Sequence, residues 1–282
     1  MKLLMFTKHL QELPLDEMVE VVKGLGFQGL DLTVRPGGSV LPERAKAELP
    51  GIAKAASKGG LEIGMFSTGI TAAEEPHAEG IFRAASELGV RFLKLGYFRY
   101  EGFGSAARQF EAVRGRLTGI AALARRYGVT ACVHTHSGDF IPPGGGLLYV
   151  LLRDFDPAEI GAYVDPGHMT VEGGFSGWKM ALDLLSPQIK LVAIKDFQWF
   201  EASDPRLGKK AWAAKLVPLT EGIVRWPEVF SCFRSAGYDG YVSVHSEYQG
   251  AHSWRDLTVR ELIDQTRVDL DYLRKVIKTA AS

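Results

Sequence analysis

Gly128-Val-Thr-Ala-Cys-Val-His-Thr-His136 follows a helix-patterned stretch from about Ser105 to Tyr127, and the pair decides the fold. Gly128 is a helix stop, because a residue without Cβ enters the left-handed conformation at little cost. The run behind it is apolar without alternation, the mark of a strand buried on both faces, as parallel strands are. Polar side chains wait until its end, at His134 and His136.

The unit repeats in both directions. Upstream, Leu3 to Phe6 leads into a helical stretch over 13–22, with Leu15, Met18, Val19 and Val22 at helical spacing. Asp16 and Glu17 lie in its first turn, where the helix dipole favours carboxylates. Gly24 and Gly26 end it before a second strand over Leu30 to Val34. A helix over about Glu43 to Lys58 leads to the strand 61–66, and one over about His77 to Leu88 leads to the strand 90–95. Downstream, Gly144-Gly-Gly146 reads as a flexible loop, and a short helix near Pro157 to Glu159 precedes the strand 160–165. A helix over Trp178 to Leu185 precedes Ile189 to Ile194, and one over Trp226 to Ala236 precedes the strand 241–245. The last helix runs from about Asp256 to Ile277. Eight βα units over 282 residues close into one (β/α)8 TIM barrel, an α/β fold of a single domain spanning 1–282. A doubly wound sheet would need a Gly-rich loop after its first strand, which is missing.

Composition narrows the partners. With 33 basic and 33 acidic residues the chain has no cationic excess for phosphate backbones, so nucleic acid is excluded as a partner. No run approaches the length of a membrane span, and the amino terminus turns polar at Thr7-Lys8-His9, short of a signal peptide. Cys132 and Cys232 sit in apolar contexts that suit reduced core thiols. The expected compartment is the cytoplasm; assembly into a homo-oligomer stays open.

In such barrels the active site lies at the carboxyl ends of the strands. His9, His134, His136, His168 and His245 fall there, and none of the seven histidines falls mid-helix. Asp31, Arg35, Lys94, Arg99, Asp165, Lys195, Asp196 and Glu247 join them. Period two puts His134 with His136, and His245 with Glu247, on common sides of their strands. Imidazoles and carboxylates converging on one mouth suit a divalent metal. Several readings stay open: Lys195-Asp196 is a structural ion pair or part of the site, and Asp165-Pro-Gly-His168 is a turn or part of it. Arg35 holds an anionic substrate group or pairs with Asp31 or Glu43. Phe197, Trp199, Phe200 and Trp212 are packing or a wall for a sugar ring. The stretch from Asp196 to Glu221 is longer than an ordinary βα loop and serves as a lid or a subunit contact.

At these residues the sequence resembles the xylose isomerase-like TIM-barrel superfamily of sugar isomerases, ketose 3-epimerases, inosose dehydratases and endonuclease IV. The similarity spans essentially the whole chain. Gly24-Leu-Gly-Phe-Gln-Gly-Leu-Asp31 is similar to the family's second strand, and Asp165-Pro-Gly-His168 to its sixth-strand Asp-x-x-His. Ile194-Lys-Asp196 resembles its His-x-Lys-Asp, and the stretch 237–244 its last strand. The resemblance implies a metal held by a fifth-strand Glu, a sixth-strand Asp, a seventh-strand His and an eighth-strand Glu. Here those positions carry His134, Asp165, Ala193 and His245. Carried over, His134, Asp165 and His245 become the expected ligands of Mn, Zn, Fe or Mg. Glu247, Lys195, His168 and His136 become the catalytic candidates, and Arg35, Asp196 and Trp199 the substrate-binding ones. The implied activity is a metal-assisted isomerase or epimerase acting on a small sugar or keto-sugar through an enediolate. A keto-sugar or inosose-type dehydratase and a non-catalytic carbohydrate-binding barrel are the alternatives. The balanced charge and absent extra ligands argue against an endonuclease.

Overall fold

The computed structural model of the chain describes residues 1–204 and 209–281. Eight strands form the barrel: β1 Lys2–Phe6, β2 Gly29–Val34, β3 Glu62–Thr68, β4 Phe92–Lys94, β5 Thr130–His134, β6 Ile160–Val164, β7 Ile189–Ile194 and β8 Tyr241–Val244. All barrel pairings are parallel and in chain order, and Met5 opposite Val244 joins β1 to β8, closing the ring. The periodicities therefore translate directly into the (β/α)8 architecture.

Helices surround the ring: α1 Leu15–Gly24, α2 Ala45–Lys58, α3 Ala78–Glu87, α4 Ala106–Tyr127, α5 Gly144–Leu152, α6 Pro166–Gly173, α7 Gly177–Leu185, α8 Trp226–Ser235 and α9 Val259–Ala281. Each turns its apolar stripe to the strands; Met18, Val19 and Val22 of α1 are buried as their spacing requires. Gly128 ends α4 in the left-handed conformation, φ +64°. No helix among the described residues is long and apolar enough to cross a membrane. Both cysteines are free, Cys132 inside the barrel and Cys232 on α8.

Two local expectations are corrected. The helix before β6 is α5, residues 157–159 form a turn instead of the expected short helix, and Gly144-Gly-Gly146 is the first turn of α5 rather than a loop. The glycines serve close packing. A Cβ on Gly145 would lie 2.6 Å from Met169 Cε and 2.7 Å from Ala181 Cβ, so only glycine lets α5 press against α6 and α7. Asp165-Pro-Gly-His168, open between a turn and part of the site, starts α6: Pro166 takes the first helical position and the Asp165 carboxylate caps the His168 amide.

Two excursions rise at the carboxyl end of the barrel. Phe98–Arg99 pairs with Phe140–Ile141, and Asp196–Asp204 pairs antiparallel with Lys209–Val217. The second is the long aromatic stretch after β7, a hairpin whose residues 205–208 lie outside the described residues.

Candidate active site at the barrel mouth

The site is the upward continuation of the barrel's interior face. Leu4, Met65, Cys132, Tyr163, Leu191 and Ala193 form one buried cluster inside the ring. One period-two step toward the carboxyl end leads from Cys132 to His134, from Tyr163 to Asp165 and from Ala193 to Lys195. Ser243 on β8 is followed in the same way by His245 and then Glu247.

Asp165 is the hub. Its Oδ1 accepts the His168 amide at 3.1 Å, and its Oδ2 is faced by His134 Nε2 at 3.3 Å, Lys195 Nζ at 3.3 Å and His168 Nε2 at 3.8 Å. Lys195 also donates to Glu247 Oε2 at 3.0 Å, and Lys8 donates to Glu247 Oε1 at 2.8 Å. Charge thus alternates along Asp165, Lys195, Glu247 and Lys8. His9 Nε2 and His245 Nδ1 each lie 3.7 Å from Glu247.

This network sets the protonation states. Burial alone would discharge Lys195, but Glu247 and Asp165 outweigh it and raise its pKa. Burial would likewise protonate Glu247, yet Lys195 above all holds the carboxyl well below its usual range. Burial, with Lys195 beside them, pushes His134 and His168 well below the ordinary imidazole value and His136 down to about 4. The mouth at neutral pH is an ammonium–carboxylate pair beside the uncharged imidazoles of His134, His136 and His168.

Each imidazole is fixed by a partner. His134 Nδ1 lies 2.9 Å from Tyr97 Oη, and His168 Nδ1 lies 2.7 Å from Ser137 Oγ. His136 packs on the His168 ring at 4.0 Å between centroids. His245 stacks on Phe6 at 4.2 Å, with its Nε2 2.8 Å from Tyr163 Oη. Tyr163 Oη also donates to Asp31 Oδ2 at 3.4 Å, which Ser243 Oγ reaches at 2.7 Å. Four buried atoms in this shell, Asp31 Oδ1, His9 Nε2, His168 Nε2 and His245 Nδ1, have no hydrogen-bond partner among the described residues. The cluster reaches solvent through Lys8, His136 and the edge of Glu247.

The structure gathers His134, His136, Asp165, His168, Lys195, His245 and Glu247 and leaves three candidates outside. Asp196 faces away, accepting hydrogen bonds from the Phe197 amide at 2.8 Å, the Val224 amide at 3.0 Å and Trp226 Nε1 at 2.8 Å. It is a clamp on the hairpin base, and Lys195 pairs with Asp165 and Glu247 instead of with it. Trp199 is exposed on the hairpin, while Phe197 at its base lies 5.0 Å from the His168 ring. Arg35 sits at the rim with its guanidinium 5.7 Å from the Phe6 ring, and among the described residues it pairs with neither Asp31 nor Glu43. His77 and His252 are exposed. Tyr97, Ser137 and Tyr163 escaped the sequence reading. For Tyr163 a signal existed, since it precedes Asp165 by two and therefore shares its face.

The divalent ion implied by the resemblance does not fit this donor set. His245 turns Nε2 to Tyr163 Oη at 2.8 Å. The Lys195 ammonium stands between the two carboxylates an ion would need. Among the described residues no group of three or more His, Cys, Asp or Glu side chains is arranged to hold a metal.

Solved structures similar to this chain share its barrel. A D-psicose 3-epimerase with D-tagatose from Clostridium cellulolyticum H10 is 16% identical, with 98% of this chain and 99% of that chain covered and a TM-score of 0.75. A xylose isomerase-like TIM barrel protein from Mycobacterium smegmatis in complex with magnesium is 14% identical, covering 100% and 98%, at a TM-score of 0.70. A probable 3-DHS dehydratase involved in petrobactin synthesis from Bacillus anthracis is 17% identical, covering 96% and 99%, at a TM-score of 0.68. At such identities they show the fold alone. No curated protein matches the chain. The family model of the xylose isomerase-like TIM barrel matches residues 19–276, and the chain belongs to that family.

Proposed function

We propose that this barrel is an isomerase or epimerase of a small keto-sugar, moving a proton at the carbon beside the carbonyl through an enediolate. The observation that carries the reading is the buried Lys195–Glu247 pair beside uncharged imidazoles and four unpartnered polar atoms. Such atoms suit a polyhydroxylated ligand, because each hydroxyl both donates and accepts. The epimerases among the similar structures support the same class.

The roles follow from charge. Glu247, held anionic between two lysines, is a weak base, whereas the neutral His168 has a free Nε2. His168 takes the proton from carbon, and Asp165 Oδ2, 3.8 Å away, stabilises the imidazolium that forms. The C–H electron pair moves onto the carbonyl oxygen, and Lys195 donates a hydrogen bond to the growing negative charge. Reprotonation at the same carbon from the other face gives the epimer; reprotonation at the former carbonyl carbon, with the adjacent hydroxyl passing its proton to the enediolate oxygen and becoming the new carbonyl, gives the isomer. His136, its ring packed against that of His168, is the candidate for the second transfer.

The test is incubation with ketopentoses, ketohexoses and keto-uronates in deuterated water, followed by mass spectrometry and NMR. The expected result is one solvent deuteron at a carbon next to the carbonyl, lost in His168→Gln. Loss of water from the substrate instead would establish the dehydratase reading. Saturable sugar binding without exchange would leave a binding barrel.

A further inference from the structure

We propose that the Lys195 ammonium takes the place of the divalent cation, so that this barrel works without a metal. The inference rests on the proton-transfer reading of the site. Lys195 Nζ lies 3.3 Å from the sixth-strand Asp165 and 3.0 Å from Glu247 beyond the eighth strand, so a single cation bridges carboxylates from the two sides of the mouth. Glu247 accepts a hydrogen bond from one of the three N–H donors of the ammonium, and the ion-pair contact with Asp165 takes up a second. The third has no partner among the described residues and is the one donor left for a substrate oxygen.

The surrounding charge agrees. Asp31, Asp165 and Glu247 supply three negative charges, and Lys8 and Lys195 already return two of them, with Lys94 and Arg35 adjacent. A dication added here would leave a buried positive excess, and uncompensated buried charge is costly. The neighbouring substitutions point the same way. Ala193, fully buried, offers no ligand on the seventh strand, while His134 and His245 bring imidazole rings where carboxylates would hold an ion. Tyr163 and Tyr97 occupy one nitrogen on each of those rings. One positive charge with one open donor polarises a single oxygen. The hydroxyl next to the carbonyl is then held by imidazole rather than chelated.

Metal content decides the matter independently of turnover. The chain, stripped with a chelator and dialysed, is titrated calorimetrically with Mn²⁺ and Zn²⁺ and analysed for bound elements. No stoichiometric uptake is expected, and one tightly held ion per chain overturns the proposal. Lys195→Met, which keeps length and removes charge, is expected to lose about 10²-fold or more in proton exchange, with no recovery on adding Mn²⁺ or Mg²⁺. Exchange by the parent chain that vanishes with chelator and returns with metal sinks the metal-free proposal but keeps the isomerase reading. Absence of exchange on every keto-sugar sinks the isomerase reading, and the titration still decides the fate of the cation site.

Discussion

Replacing His136 with glutamine removes one of the imidazoles that the mouth keeps uncharged, and the cost of that arrangement can be worked out. In the folded chain burial, aided by Lys195, lowers His136 from 6.5 to about 4. In the unfolded chain it titrates near the ordinary ~6.5. Between those values the unfolded chain binds the extra proton, so acid favours unfolding. The contribution is complete above pH ~6.5 and erodes as the pH falls toward the folded value. From about pH 7 to about pH 5 one such imidazole costs the fold about 2 kcal/mol. His134 and His168 slope in the same direction. Asp196 and Asp269, raised by burial to about 7 and about 6, slope the opposite way. Only the difference between parent and variant isolates the one ring. Urea unfolding at three pH values across that span is the assay, and His136→Gln should lose about 2 kcal/mol less than the parent between its ends. Parallel pH profiles would refute the picture of a neutral ring packed on His168.

The clamp at the hairpin base yields a second expectation. Asp196→Ala strands three buried donors, on Phe197, Val224 and Trp226, and should cost about 2–4 kcal/mol in denaturant unfolding. A loss under about 0.5 kcal/mol would show the hydrogen bonds to be dispensable. At the rim, Arg35 has no carboxylate partner among the described residues, so Arg35→Ala should raise KM about tenfold or more for keto-sugars bearing a carboxylate or phosphate. Neutral ketoses should be unaffected, and an equal loss on both would assign Arg35 to the Phe6 wall instead.

Glycine stops and unbroken apolar runs made the barrel legible, because both report on backbone and burial, which are local. The site was legible where strand parity applied. His134, Asp165 and Lys195 each continue an inward-facing series, and the same parity turns Asp196 outward, next to an inward Lys195. Strand-end carboxylates look alike in a sequence, however, and only the partners on Val224 and Trp226 separate a clamp from a ligand. Tyr163 was hidden because a tyrosine amid valine and alanine reads as filling. The α5 glycines were hidden because close approach between helices depends on residues far along the chain, Met169 and Ala181. The surroundings of the expected metal ligands were hidden for a similar reason. Substituted ligands can be counted in a sequence, but the reach of a lysine into the gap they leave cannot.

The Asp196 clamp has a consequence for how such a chain diversifies. By joining Phe197 to Val224, with the Ile223 amide also bonded to the Phe197 carbonyl at 2.9 Å, it seals the neck of the 197–223 excursion. Insertions, deletions or aromatic swaps beyond that neck leave Lys195 where it is. The segment is a graftable cassette: new substrates can be tried at its tip while the proton chemistry below stays put.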